Sequence, residues 1–404
     1  MMELLDPVRG FVADGRYPGM AALLWREGVE PVFDATGWRD VDRRLPFARD
    51  TIFRLASMTK PITTAAAMVL VERGRLALDA PIARWLPEAE GLRVLRDPAA
   101  ELDDVLPLKR APTLHDLMTH TAGFAWGKGA DLPICRAMDA ATGTTPFVPH
   151  DPDALVRRVC ALPLVFQPGT RWHYSNGSDL LGVIVARAAG MRLPEALEAT
   201  VLGPLGMRDT GFCLAARDRE RFATGYERRP EGGFAIHDDA ATGFWTQPPV
   251  FPAGGGGLVS TLDDYLAFAR MMLDGGQGPQ GRVLSEASVR LMTSHRLAPA
   301  QLRPLLPQLD FLHGQGFGLG LSIAPEGGQE RRSAGSFSWP GGYGTTWFAD
   351  PRRRLVAILV TQVWQDHLSQ LAPDFEAGVY DSIQPAPRSQ RTPSSQRKPV
   401  TRTP

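Results

Sequence analysis

Ser57-Met58-Thr59-Lys60 sets a hydroxyl and an amine three residues apart, just ahead of the helix-favouring run Ala65-Ala66-Ala67. Residues i and i+3 of a helix share a face, so the Lys60 amine can reach the Ser57 hydroxyl. A neutral amine beside a Ser hydroxyl is a general base beside a nucleophile, the chemistry of acyl transfer. Arg could not replace it, because a guanidinium stays protonated in proteins. The point carries weight in a chain with forty Arg and only four Lys, at positions 60, 109, 128 and 398. The same spacing recurs at Ser395-Gln396-Arg397-Lys398, in a polar, Pro-rich tail that is not expected to fold. Context therefore has to separate the two copies.

Two other clusters carry usable groups. Asn176, the only Asn of the chain, follows Tyr174 by two residues in Tyr174-Ser175-Asn176-Gly177. A Tyr hydroxyl held near a Lys ammonium is a second base or a proton shuttle, because an opposite charge favours the ionised form. The Asn176 amide could donate to a substrate carbonyl; the plain alternative is a turn, which Ser-Asn-Gly suits. Trp339-Pro340-Gly341-Gly342-Tyr343-Gly344 is a Gly-rich approach to a strand, where backbone can come close to a ligand. Its N–H groups could build an oxyanion hole with that of Ser57 at a helix start. Pro340 has no N–H, which favours Gly342 as donor. The alternative here is a hairpin turn under an aromatic lid.

These groups need elements to hold them. Met20–Trp25 and Pro31–Trp38 read as strands of a hairpin around Arg26-Glu27-Gly28. Thr51–Leu55 is a short strand, and 57–73 a helix with Pro61 tolerated in its first turn and Gly74 beyond its end. From about 76 to 250 the pattern turns to short helices, Leu114–His120, Pro152–Ala161, Asp179–Ala189 and Leu193–Val201. The stretch 123–150 reads as a long loop. Thr261 with Asp264, or Ser260 with Asp263, can cap a helix running to Leu273. Phe317–Ile323, Arg332–Ser338, Tyr343–Ala349 and Leu355–Gln362 read as antiparallel strands, followed by a helix over 366–383. Strands at both ends with helices between predict an α/β (α+β) fold, one antiparallel sheet built from both chain ends. Residues 1–75 and 251–383 would form that unit, 76–250 an inserted helical domain, and 384–404 a disordered tail.

In order and context, the three clusters resemble the serine β-lactamase-like superfamily: S-x-x-K, then Y-x-N, then a Lys/His-x-Gly strand motif. The resemblance spans nearly all of residues 1–383, and the superfamily's fold matches the layout above. Trp339 stands where a Lys or His is usual, and W-x-G at that place resembles the family VIII carboxylesterases. The resemblance implies that Ser57 is the acylated nucleophile and that Lys60 and Tyr174 share the proton work. It implies too that the Ser57 and Gly342 amides hold the oxyanion, with Gly341 beside them, and that Trp339 and Asn176 line the substrate pocket. A Lys at the third motif would hold a carboxylate; Trp339 removes that charge and offers an apolar face. The implied substrate is a neutral small-molecule ester, with no metal and no cofactor. A β-lactam or amide hydrolase of the same superfamily, and a non-catalytic binding protein on the same fold, are the alternatives.

Other signals point to nothing further. No G-x-S-x-G is present. His120 and His173 read as structural, since the Ser-Lys pair already supplies a base. The run Gly254–Gly257 lacks the Gly-Lys-Ser/Thr of a phosphate loop. Asp103-Asp104 and Asp238-Asp239 read as solvated loop charges rather than metal ligands. Zero net charge and a pI of 7.1 suggest no nucleic-acid partner. Cys135, Cys160 and Cys213 lack metal-like spacing and fit a reducing compartment. Neither a signal peptide nor a membrane-spanning run is visible, so a cytoplasmic protein with no membrane partner is expected. Oligomeric state stays open.

Overall fold

The computed structural model describes residues 4–127, 130–143, 149–304, 312–326, 331–365 and 370–383. Eight antiparallel strands form the main sheet: β1 (Gly19–Arg26), β2 (Val29–Asp40), β3 (Leu45–Pro46), β4 (Gly316–Phe317), β5 (Ser322–Ile323), β6 (Phe337–Ser338), β7 (Thr345–Asp350) and β8 (Leu355–Val360). Their spatial order is β4-β5-β6-β7-β8-β1-β2-β3. The seam between the two chain ends is β1 against β8, in register from Ala21 opposite Val360 to Arg26 opposite Leu355. One sheet built from both ends of the chain is thus what the fold contains.

The sheet is apolar on both faces for a simple reason. Side chains alternate across a strand, and here both sides are covered. Ala21, Leu23 and Trp25 of β1 join Val356, Ile358 and Val360 of β8 in one core. Met20, Ala22 and Leu24 join Leu355, Ala357 and Leu359 in a second core, closed by the helix Leu371–Ile383 through Phe375 and Val379. At ~25 cal/mol per Å², each fully buried Leu or Ile contributes roughly 1.5–3 kcal/mol.

Four helices matter for the site: α1 (Thr59–Glu72), α2 (Pro133–Thr142), α3 (Gly177–Ala189) and α4 (Leu262–Leu273). Helix α1 is buried nearly all round, from Thr59 to Leu70. Thr261 caps α4, its hydroxyl accepting the Asp264 N–H at 3.3 Å. Gly182 of α3 meets Gly254 so closely that a Cβ on Gly254 would lie 2.9 Å from the Ser178 carbonyl oxygen. Gly254 and Gly255 of the four-glycine run therefore allow close packing on α3.

Several elements differ from the sequence reading. Helix α2 occupies the stretch expected as a long loop; Pro133 starts it, and Ile134, Cys135, Met138, Ala141 and Thr142 are its buried side chains. Phe317–Ile323 is not one strand but a turn between β4 and β5, with the Leu321 carbonyl accepting the Gly318 N–H. The first turn before α1 is a tighter helical turn over Ala56–Met58, with Ala56 at φ 45°. A hairpin of Gly225–Arg228 with Phe234–Asp238 lies in the middle segment, where only helices and loops were expected. The start of the helix expected over 366–383, the 384–404 tail and the second Ser-x-x-Lys copy fall outside the described residues.

Candidate active site

Ser57 sits in the tight turn that feeds α1, where three contacts fix the backbone. The Met58 carbonyl accepts the Tyr265 hydroxyl of α4 at 3.1 Å, and the Leu55 carbonyl accepts the Thr345 hydroxyl of β7 at 3.2 Å. The Leu55 N–H in turn reaches the Leu258 carbonyl at 2.9 Å. Ala56, forced to a positive φ between them, is the kind of backbone outlier that persists only when its surroundings over-determine it.

Lys60, one helical turn on, donates to Ser57 Oγ at 3.0 Å and to the Gly255 carbonyl at 2.6 Å. Its ammonium also lies 4.8 Å from the centroid of the Tyr174 ring. Tyr174 Oη is 2.6 Å from Ser57 Oγ. Ser57, Lys60 and Tyr174 thus form one hydrogen-bonded cluster from segments more than a hundred residues apart. Lys60 is 6% exposed and Tyr174 8%, while Ser57 is half-buried and faces a cavity of about 200 Å³.

The Tyr174 ring is held on several sides. Its neighbours are His120 at 5.1 Å, Trp126 at 5.3 Å and Trp339 at 5.7 Å between ring centroids. Trp339 itself packs edge-on to Phe317 and is 5% exposed. It backs the Tyr174 ring, and Tyr174 forms the cavity wall where Trp339 was expected to line it. The short strand β6 ends just before it and turns its side chain inward, a direction that sequence spacing cannot give.

Gly342 lies on the cavity wall with Ser57, and among the described residues its N–H has no backbone partner. Gly341 stands behind it, paired with Thr345, and not on the wall. A Cβ on Gly341 would overlap the Leu55 carbonyl oxygen, so glycine is needed there for close approach. Asn176 is on the cavity wall. Its amide nitrogen is 3.4 Å from the Asp179 carboxylate, and among the described residues its buried Oδ1 has no partner.

Asp179, Gly255, Trp126, Asp139 and Trp364 also line the cavity, and sequence reasoning missed them. Asp179 is on α3, three residues after Asn176, and a helical-spacing search from Asn176 would have found it. Burial pushes its carboxyl up; the Lys60 charge, the Gly255 N–H and the Asn176 amide pull it down, with the balance raised. His120 and His173 are buried. Burial holds His120 well below its ordinary value, with Lys60 adding to the effect, and lowers His173 to about 4. Neutral, desolvated rings of this kind fit the structural reading of both.

Asp238 is not a solvated loop charge. It is buried against Arg54, whose guanidinium is 0% exposed and also donates to the Ala223 carbonyl at 2.6 Å. Among the described residues no cluster of three or more His, Cys, Asp or Glu could hold a metal ion, and no helix is long and apolar enough to cross a membrane.

The chain is similar to several known proteins. Esterase EstB of Burkholderia gladioli is 34% identical over 382 residues, covering 88% of each chain. An uncharacterized protein of Mycobacterium tuberculosis is 43% identical over 370 residues, covering 90% of each. Among solved structures, EstCE1, described as a hydrolase with promiscuous acyltransferase activity, superposes with a TM-score of 0.78 at 26% identity, covering 93% of this chain and 97% of its own. The β-lactamase family pattern matches residues 6–379, and the chain belongs to that family.

Proposed function

We propose that the protein is a serine carboxylesterase that works through an acyl-enzyme on Ser57. The observation that carries this is the cluster itself, with Ser57 Oγ at 2.6 Å from Tyr174 Oη and 3.0 Å from Lys60 Nζ. The esterase names of its relatives support the same reading. Ser57 Oγ attacks the ester carbonyl carbon while its proton passes to the Lys60–Tyr174 pair. The Ser57 and Gly342 N–H groups hold the developing oxyanion. Collapse breaks the carbonyl–alkoxy bond, and the pair returns the proton to the leaving alcohol. Water then attacks the acyl-enzyme by the reverse use of the same groups.

Neutral esters suit the cavity. Its aromatic wall is Trp126, Tyr174 and Trp364, and among the described lining residues Lys60 is the sole cation. That ammonium is already engaged by Ser57 and the Gly255 carbonyl. A substrate carboxylate finds no free cation there, which favours carboxylic esters over β-lactams and supports a family VIII reading. Three free cysteines among the described residues, two of them buried, favour a cytoplasmic location.

The test is hydrolysis of a p-nitrophenyl ester series by wild type and Ser57→Ala, with nitrocefin in parallel. Ester turnover that disappears in Ser57→Ala while nitrocefin stays slow is the expected result. Nitrocefin turnover rivalling the ester would move the protein to the lactamase side. Folded wild type that turns over neither would remove ester hydrolysis as its function.

A further inference from the structure

Lys60 is a buried ammonium, and a buried charge needs a counter-charge. The groups around it are the Ser57 hydroxyl, the Gly255 carbonyl, the Tyr174 ring, the buried His120 and the Asp179 carboxylate. Asp139 lies farther out, on the exposed side of α2 at the cavity wall. Asp179 is the carboxylate that this set buries, at 4% exposure.

Its hydrogen bonds run the wrong way for a helix cap. An acid in the first turn of a helix ordinarily accepts from its own N-terminal N–H groups. Asp179 Oδ1 instead accepts the N–H of Gly255 at 2.8 Å, from a segment 76 residues away. Its Oδ2 takes the Asn176 amide at 3.4 Å. Two accepting oxygens are the pattern of an ionised carboxylate. The other side of Gly255 completes the line, since its carbonyl accepts Lys60 Nζ at 2.6 Å. A Cβ at Gly255 would stand 2.9 Å from Asp179 Oδ1, so glycine lets the carboxylate come this close.

We propose that Asp179 is a positioning residue that sets the charge balance of the Ser57–Lys60–Tyr174 cluster, acting on Lys60 through the Gly255 residue between them. The inference rests on the reading of Ser57 as the nucleophile. Gly255 holds both groups, its N–H on the carboxylate and its carbonyl on the ammonium, so the two charges are fixed one residue apart and attract each other through space. The carboxylate also lowers the energy of every protonated state of the Lys60–Tyr174 pair. Such a pair titrates with apparent values that belong to both groups, so removing the negative charge should move both limbs of the pH–rate profile the same way, towards lower pH.

The experiment is the pH dependence of kcat/KM for a neutral p-nitrophenyl ester with wild type, Asp179→Asn and Asp179→Glu. Asn keeps an oxygen for the Gly255 N–H but drops the charge. Both limbs should fall by about one pH unit in Asp179→Asn, with KM within about twofold, and stay near wild type in Asp179→Glu. Limbs that do not move in folded Asp179→Asn, or that move upward, overturn the proposal and leave Asp179 a structural acid. Should Asp179→Asn fail to fold, Asp179→Glu decides: limbs in place support the charge role, and displacement by a unit or more overturns it. If Ser57→Ala keeps esterase activity, the functional reading fails instead, and the two failures are distinguishable.

Discussion

Lys60 and Arg54 are buried cations six residues apart, and their surroundings are opposite in kind. Arg54 is saturated. It pairs with Asp238, donates to the Ala223 carbonyl and to Gln362 Oε1, and lies over the rings of Phe222 and Trp245 at 4.0 and 5.1 Å. A guanidinium with its donors spent and its charge neutralised in place is a structural tie, joining the Phe53–Arg54 strand to the 225–238 hairpin and the 362–365 turn. Lys60 has no carboxylate in contact. Its hydrogen bonds go to a carbonyl and to the Ser57 hydroxyl, at the rim of a cavity. Burial alone therefore does not separate the cation proposed for proton transfer from a structural one. Incomplete neutralisation next to a nucleophile does.

The largest effects should come from removing the two cations. Lys60→Met should cost at least about 10³-fold in kcat/KM for an ester, yet little stability, because Asp179 keeps its donors and can take up a proton. Arg54→Met strands Asp238 and should cost about 3–5 kcal/mol in chemical denaturation, while the molecules that stay folded keep their activity. Equal destabilisation by both variants would break the contrast. Tyr174→Phe should be smaller, about 10²-fold in kcat with KM nearly unchanged; steady-state kinetics on p-nitrophenyl butyrate checks it, and full activity would exclude the phenol from proton transfer.

The smallest effect concerns stability against pH near Tyr174. His173 is held at about 4 by burial, below its ordinary 6.5, and among the described residues neither ring nitrogen has a hydrogen-bond partner. The unfolded chain then binds more protons between about pH 6.5 and 4, so stability falls as the pH drops through that window. Asp264, raised to about 6 mainly by burial, acts in the opposite sense over much of it. The difference between wild type and His173→Phe isolates the histidine. The variant should show the flatter denaturation profile, and parallel profiles would remove His173 from the account.

Sequence reasoning reached the parts of the site that depend on local spacing. Ser57 and Lys60 are one helical turn apart, and Tyr174 and Asn176 flank a turn that leads into α3. The sheet from both chain ends was legible because β1, β2, β7 and β8 carry strong strand patterns. What stayed hidden depends on long-range packing. Arg54 meets Asp238 across 184 residues, so nothing near Asp238 marks it as buried. Helix α2 begins at Pro133 in a stretch rich in Gly and Pro, and only its buried face shows a helical period. Trp339 changes role because β6 turns its ring towards Tyr174. In Gly254–Gly257 the sequence ruled out a phosphate loop but could not show that Gly254 and Gly255 pack closely on α3, or that the Gly255 carbonyl holds Lys60.

The most direct test is to mix the wild type with p-nitrophenyl butyrate, quench in acid within the first turnover and map the peptides by mass. The account predicts a butyryl group on the peptide carrying Ser57, absent from Ser57→Ala. A butyryl group on another residue, or wild-type turnover rates in Ser57→Ala, would contradict it.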